Sequence, residues 1–89
     1  MTITDVRVYL KNGDDHLKAF ASITLDETFA VRDLKIVEGE RGLFVSMPAR
    51  RDNAGKYRDV AHPVTREFYD ALQARVLEAY RRAAEAAPA

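Results

Sequence analysis

The chain has 89 residues, no cysteine, and fourteen basic side chains balanced by fourteen acidic ones, so its formal net charge is zero. This composition excludes a disulfide framework and a cysteine-ligated zinc site, and a hydrophobic content of 47% excludes a disordered chain. No apolar run approaches the ~18 residues of a membrane span, and the N-terminus lacks a signal pattern. We expect a soluble cytoplasmic protein that makes no membrane contact, with one domain over residues 1–84 and a frayed alanine-rich tail over residues 85–89.

The first two predicted strands form a hairpin. Residues 3–10 and residues 17–25 both alternate apolar and polar side chains, which is typical of half-buried strands. Asn12-Gly13 between them favours a tight turn, because both residues tolerate positive φ angles. Phe20 lies on the otherwise polar face of the second strand, where an apolar neighbour or a partner subunit could cover it.

The third predicted strand contains an irregularity. It covers residues 29–37, and its apolar side chains are two apart at Phe29 and Val31 but three apart at Val31 and Leu34. A β-bulge near Arg32-Asp33 would return Leu34 and Ile36 to the core face.

Two further strands and one helix complete the predicted fold. Residues 43–47 are apolar on both faces except Ser46, and Pro48 removes a ladder donor and ends this strand. Residues 52–55 supply turn chemistry, and residues 56–61 form a fifth short strand. We predict an α+β domain, with a five-stranded antiparallel meander followed by one C-terminal amphipathic helix.

The helix has a recognisable start and an apolar face. Thr65 is the predicted N-cap, Glu67 lies in the first turn, and Val64 and Tyr69 are spaced for a hydrophobic staple. Leu77 lies off the core arc and indicates a second contact surface. The core arc comprises seven side chains: Phe68, Tyr69, Leu72, Val76, Ala79, Tyr80 and Ala83.

Basic charge collects in one part of this neutral chain. Residues 41–66 contain six basic side chains and only two acidic ones, whereas residues 1–40 are net acidic. A polarised surface of this kind suits a polyanionic partner better than a small-molecule reaction.

Four of the six candidate contacts surround a predicted turn in this segment. Guanidinium groups match phosphate oxygens in a bidentate fashion and can also contact guanine edges. A solvated polar turn, with Asp52 and Asp59 as local ion-pair partners, is the alternative. Of the four tyrosines, Tyr9 and Tyr57 could stack on bases, although core packing is the favoured role for both. The candidate nucleic-acid-binding residues are Arg50, Arg51, Lys56, Arg58, Arg66 and Arg75.

The sequence offers no support for catalysis, a metal or a cofactor. Ser22 and Ser46 lie within predicted strands rather than at a nucleophile elbow, and no phosphate-cradling glycine loop is present. His62 has no second ligand at metal-binding spacing, so we expect a structural histidine that is hydrogen-bonded to the backbone or set near the helix start. We therefore expect neither an enzyme nor a small-molecule substrate.

Four motifs in consistent order resemble the SpoVG family, the small bacterial proteins also called stage V sporulation protein G. The resemblance covers about residues 2–80. This sequence departs from the family pattern at Ala49, where serine is common in the family, and in the turn at residues 52–55. The motifs are TDVR at 4–7, ASITLD at 21–26, GLFVSMP at 42–48 and YRDVAHP at 57–63.

The resemblance implies a homodimer that joins sheets across its subunits, binds DNA and RNA, and regulates septation, sporulation and virulence genes. The residues that match the family's basic loop are Arg50 and Arg51, with Arg58 on the following strand. A homodimeric nucleic-acid-binding regulator is therefore the leading hypothesis. The alternative is a protein-interaction module that docks a cell-division or regulatory partner through Phe20, Leu77 or Tyr9 without binding nucleic acid.

Overall fold

The computed structural model describes residues 1–11 and 15–87 and has an α+β fold. The predicted Asn12-Gly13 turn lies outside the described residues. Within these described residues, six strands precede one helix, in the order β1 (Ile3–Leu10), β2 (Leu17–Leu25), β3 (Phe29–Gly39), β4 (Gly42–Ser46), β5 (Ala49–Arg51), β6 (Tyr57–Asp59) and α1 (Arg66–Ala86).

The strands form two antiparallel sheets instead of the single five-stranded meander predicted. β1 to β4 pair in chain order, whereas β5 and β6 pair only with each other. Pro48 follows β4 and cannot donate to a ladder, so the chain leaves the main sheet there. The predicted last strand then pairs with the short segment just before the turn, and this places the basic segment on a separate hairpin.

The bulge predicted in β3 is confirmed. The β2–β3 register passes from Ala21 opposite Leu34 to Ile23 opposite Val31, so β3 contains one extra residue at this point. Asp33 has a φ angle of 65°, in the left-handed region that bulges often use. As predicted, both Leu34 and Ile36 are then buried.

One face of α1 packs on the four-stranded sheet. Leu72 and Val76 are at most 1% exposed, and Phe68 and Tyr80 pack against the same core. The places predicted for Tyr69 and Leu77 are wrong: Tyr69 is 41% exposed, and Leu77 packs against the core instead of marking a second surface. The buried core comprises Ile3, Ala19, Ala21, Ile23, Leu25, Leu34, Ile36, Val45, Leu72 and Val76.

The helix begins as predicted and ends later than the predicted domain boundary. The Phe68 backbone N–H donates to the Thr65 hydroxyl at 3.2 Å, which confirms the N-cap. Val64 is 87% exposed, so the predicted staple does not bury it. Residues 85 and 86, assigned to the frayed tail, are helical. Within the described ranges, no helix has the length and apolar character required to cross a membrane.

Two polar side chains of α1 cap the outer edges of the sheet. The Gln73 amide accepts from the Val45 N–H and donates to the Val45 carbonyl, both at 2.9 Å. Arg75 donates to the Ile3 carbonyl at 3.0 Å. These bonds satisfy backbone groups on edge strands β4 and β1, which would otherwise be open to other chains.

Candidate nucleic-acid interface

The β5–β6 hairpin holds four of the six predicted contact residues. Arg50 lies opposite Arg58, and Arg51 lies opposite Tyr57. The Val60 N–H donates to the Pro48 carbonyl at 2.7 Å and closes the base of the hairpin. Every residue of both strands is exposed, so the hairpin presents its side chains to solvent instead of contributing to the core.

A single carboxylate organises the turn. Oδ1 of Asp52 accepts hydrogen bonds from the backbone N–H groups of Ala54 and Lys56, each at 2.9 Å. The Gly55 N–H donates to the Asp52 carbonyl at 3.0 Å. An aspartate that bonds the backbone two residues further on forms an Asx-turn, so the first residue of the turn fixes its shape.

The second oxygen of this carboxylate holds one of the cations. Nε of Arg58 donates to Oδ2 of Asp52 at 2.8 Å. This bond, followed by the backbone N–H groups of Lys56 and Ala54, holds the pKa of Asp52 below its ordinary value of 3.8. The expected local ion pairing is thus confirmed for Asp52. Asp59 forms no ion pair within residues 1–11 and 15–87.

The other three cations of the hairpin are not neutralised. Arg50, Arg51 and Lys56 form no ion pair with any carboxylate in the described ranges. Arg50 stands opposite Arg58, and since Asp52 already pairs with Arg58, Arg50 is the cation of this cross-strand pair that has no counter-charge among the described residues. An anion bound at the hairpin would balance the charges of Arg50, Arg51 and Lys56.

Gly55 completes the turn and lies next to the Arg51 guanidinium. It has a φ angle of 81°, which side-chain-bearing residues rarely adopt. A Cβ atom there would lie 3.5 Å from Nη2 of Arg51. The Arg51 guanidinium therefore folds over the turn, on the strand face opposite to Arg50.

The remaining two predicted contacts lie outside this hairpin. Arg66 pairs with Asp70 at 3.1 Å and stacks over the Tyr69 ring at 5.5 Å. Arg75 is anchored to the β1 edge, as described above, so its guanidinium has a structural role that its sequence position did not reveal. The structure therefore brings together Arg50, Arg51, Lys56 and Arg58 and separates Arg66 and Arg75 from them.

His62 has the backbone contact that was expected of it. Its Nδ1 lies 3.0 Å from the Pro63 carbonyl oxygen, between β6 and the helix start. In the described part of the chain, no group of three or more histidine, cysteine, aspartate or glutamate side chains is arranged to hold a metal ion.

Sequence reasoning missed two features of this surface. Asp52 was expected to be a turn residue and an ion-pair partner, but the sequence did not show that its one carboxylate bonds the Ala54 and Lys56 amides and Arg58 together. Tyr9 and Tyr57 are 57% and 73% exposed, so the favoured core-packing role is wrong for both.

Comparisons with known proteins match this chain over nearly its full length. The sequence model of the SpoVG family covers residues 1–82. Proteins named "Putative septation protein SpoVG" are similar to it in three distant organisms. The Lachnospira eligens protein is 49% identical over 93% of this chain and 94% of its own length. The Archaeoglobus fulgidus protein is 51% identical over 89% of this chain and 93% of its own length. The Staphylococcus saprophyticus protein is 44% identical over 99% of this chain and 87% of its own length. The chain therefore belongs to the SpoVG family.

Proposed function

We propose that this protein is a homodimeric nucleic-acid-binding regulator that acts in septation or sporulation-linked gene expression. The observation that supports this most is the exposed β5–β6 hairpin, where Arg50, Arg51 and Lys56 remain without ion-pair partners in the described ranges. The septation role rests on the names of its relatives in the SpoVG family.

The chemistry of the hairpin suits the phosphates of a polyanion. Guanidinium groups donate two parallel hydrogen bonds to a phosphate, and exposed cations release counterions when they bind a polyanion. Because Asp52 already neutralises Arg58, the bound phosphates would meet chiefly Arg50, Arg51 and Lys56. The hydrogen bonds of Asp52 fix the turn backbone between Arg51 and Lys56 before binding.

The exposed surface supports a dimer. The chain exposes 6850 Å², whereas a compact 10.0 kDa monomer is expected to expose about 5,200 Å². A partner subunit would cover part of this excess. Two hairpins in one dimer would also add their weak contacts through bivalency.

The test compares two double variants by fluorescence anisotropy with labelled DNA and RNA. Arg50→Ala with Arg51→Ala removes two hairpin cations, and Arg81→Ala with Arg82→Ala removes the same charge from the distal end of α1. We expect at least a tenfold loss of affinity for the hairpin variant and less than a twofold change for the helix variant. Equal losses in both would indicate nonspecific attraction by net charge and contradict the proposal.

An apolar groove favours the alternative, a protein-interaction module for a cell-division or regulatory partner. The groove has a volume of about 580 Å³ between the sheet and the start of α1. At its rim Phe29 is 66% exposed and Val64 87% exposed. If Val64→Asp abolishes the cellular role while the hairpin variant retains it, and no nucleic acid binds at low salt, this alternative replaces the proposal.

A further inference from the structure

The sheet face opposite α1 has aromatic and basic side chains side by side. The strand register places Tyr9 opposite Phe20, and Phe20 opposite Lys35 on β3. Tyr9 is 57% exposed and Phe20 38% exposed. Paired residues on adjacent strands project from the same face, with Cβ atoms roughly 5 Å apart. The two rings and the ammonium group therefore form one row across three strands.

Two adjoining grooves extend this row to the basic hairpin. One groove of about 440 Å³ is lined by Arg7, Tyr9, Phe20 and Arg32 among others. The next, of about 570 Å³, also includes Phe20 and Arg32 and continues to Arg50. The open sheet face and the β5–β6 hairpin are therefore one continuous surface.

The charges along this surface are mainly positive and available. Arg32, Lys35 and Arg50 form no ion pair within residues 1–11 and 15–87. Arg7 donates to Asp5 at 3.1 Å. Asp5 lines neither groove, whereas Asp33, at the bulge, lines both. A surface of this kind attracts a polyanion.

We propose that this face binds single-stranded nucleic acid, with bases stacked on Tyr9 and Phe20 and phosphates held by Arg32, Lys35 and Arg50. Only unpaired bases expose the ring faces that such stacking requires, because a duplex buries them against neighbouring bases. The inference rests on the proposed nucleic-acid-binding function and specifies its ligand class.

A second copy of the chain is a less suitable occupant of this face. The centre of a protein–protein interface is depleted in charged residues, whereas unpaired cations flank Phe20 here. A two-fold contact centred on Phe20 would bring Arg32 and Lys35 of both copies together, and like charges would repel across it. A nucleic-acid strand satisfies both the rings and the cations.

The test uses anisotropy with an oligothymidylate of about 16 nucleotides and a random-sequence duplex of the same length. Tyr9→Ala and Phe20→Ala should each weaken oligothymidylate binding roughly tenfold and change duplex binding less than twofold. Tyr69→Ala is the matched control, since this ring is similarly exposed but lies on α1. Phe20→Tyr retains a ring and should restore binding.

A second measurement detects stacking without weakening the fold. The chain has no tryptophan, so Tyr9→Trp introduces a single indole whose fluorescence should be quenched by oligothymidylate and not by the duplex. The inference is overturned, while the proposed function stands, if the fluorescence is unchanged by oligothymidylate. The same holds if the Tyr9→Ala and Phe20→Ala variants lose equal affinity for oligothymidylate and for the duplex. If neither ligand binds the wild-type protein, the proposed function itself fails. Conversion of a dimer to a monomer by Phe20→Ala, seen by light scattering, would assign the face to a second copy and overturn the inference.

Discussion

The sheet–helix core and the β5–β6 hairpin are stabilised in different ways. In the core, Ile23, Leu34, Ile36, Leu72 and Val76 are almost completely buried, and burial of apolar surface provides the stability. In the hairpin every strand residue is exposed, and the Asp52 carboxylate fixes the turn through backbone hydrogen bonds and one ion pair. Substitutions should therefore separate folding from ligand binding.

The largest effect is expected from a core substitution that leaves the hairpin intact. Leu72→Ala removes a side chain that is 1% exposed and should lower the free energy of unfolding by about 2–5 kcal/mol. Urea unfolding at one fixed protein concentration measures this change. The Arg50→Ala/Arg51→Ala variant should unfold at the wild-type urea midpoint, because surface substitutions away from packed features have small effects. If the Arg50→Ala/Arg51→Ala variant also unfolded at a lower urea concentration, the hairpin and the core would unfold as one unit.

A smaller, local effect is expected at Asp52. Asp52→Asn retains an oxygen that accepts from the Ala54 and Lys56 amides but no longer neutralises Arg58. Nucleic-acid affinity should rise a few-fold, because each protomer gains one net positive charge. Asp52→Ala, which also removes the acceptor, should disorder the turn and reduce affinity. If both variants bind like the wild type, the hairpin is not the contact surface.

The pH dependence of the hairpin should follow the same carboxylate. Because the folded state lowers the pKa of Asp52, its contribution to hairpin stability is present above the ordinary value of 3.8 and is lost as the pH falls through the lower folded value. NMR titration of the Ala54 and Lys56 amides should therefore show a midpoint below 3.8. A midpoint at or above that value would contradict the Asp52–Arg58 pairing.

Local patterns in the sequence predicted the features that depend on neighbouring residues. The phase slip between Val31 and Leu34 located the bulge, and Thr65 marked the helix start, because both signals lie within a few residues of their effect. Turn chemistry at Asp52 located the hairpin tip.

Features that depend on distant partners were not predictable in this way. Arg75 donates to a carbonyl that is 72 residues away in the chain. Because no local pattern shows this bond, the sequence predicted Arg75 as a nucleic-acid contact. Leu77 was placed off the core by an ideal helical wheel, yet it is partly buried and packs against the core. Periodicity shows which side chains are apolar and not which element packs against them. For the same reason, the proximity of Phe20 to Arg50 emerged only from the folded chain.

The salt dependence of nucleic-acid binding tests the central claim, that the hairpin neutralises phosphates, most directly. If each protomer of a dimer contacts about three phosphates through Arg50, Arg51 and Lys56, log K should fall with log salt concentration at a slope of roughly −5. The slope for Arg50→Ala with Arg51→Ala should be roughly −2, because about two contacts per protomer are removed. A wild-type slope near zero, or an equally steep slope in the variant, would show that the hairpin does not contact the phosphates.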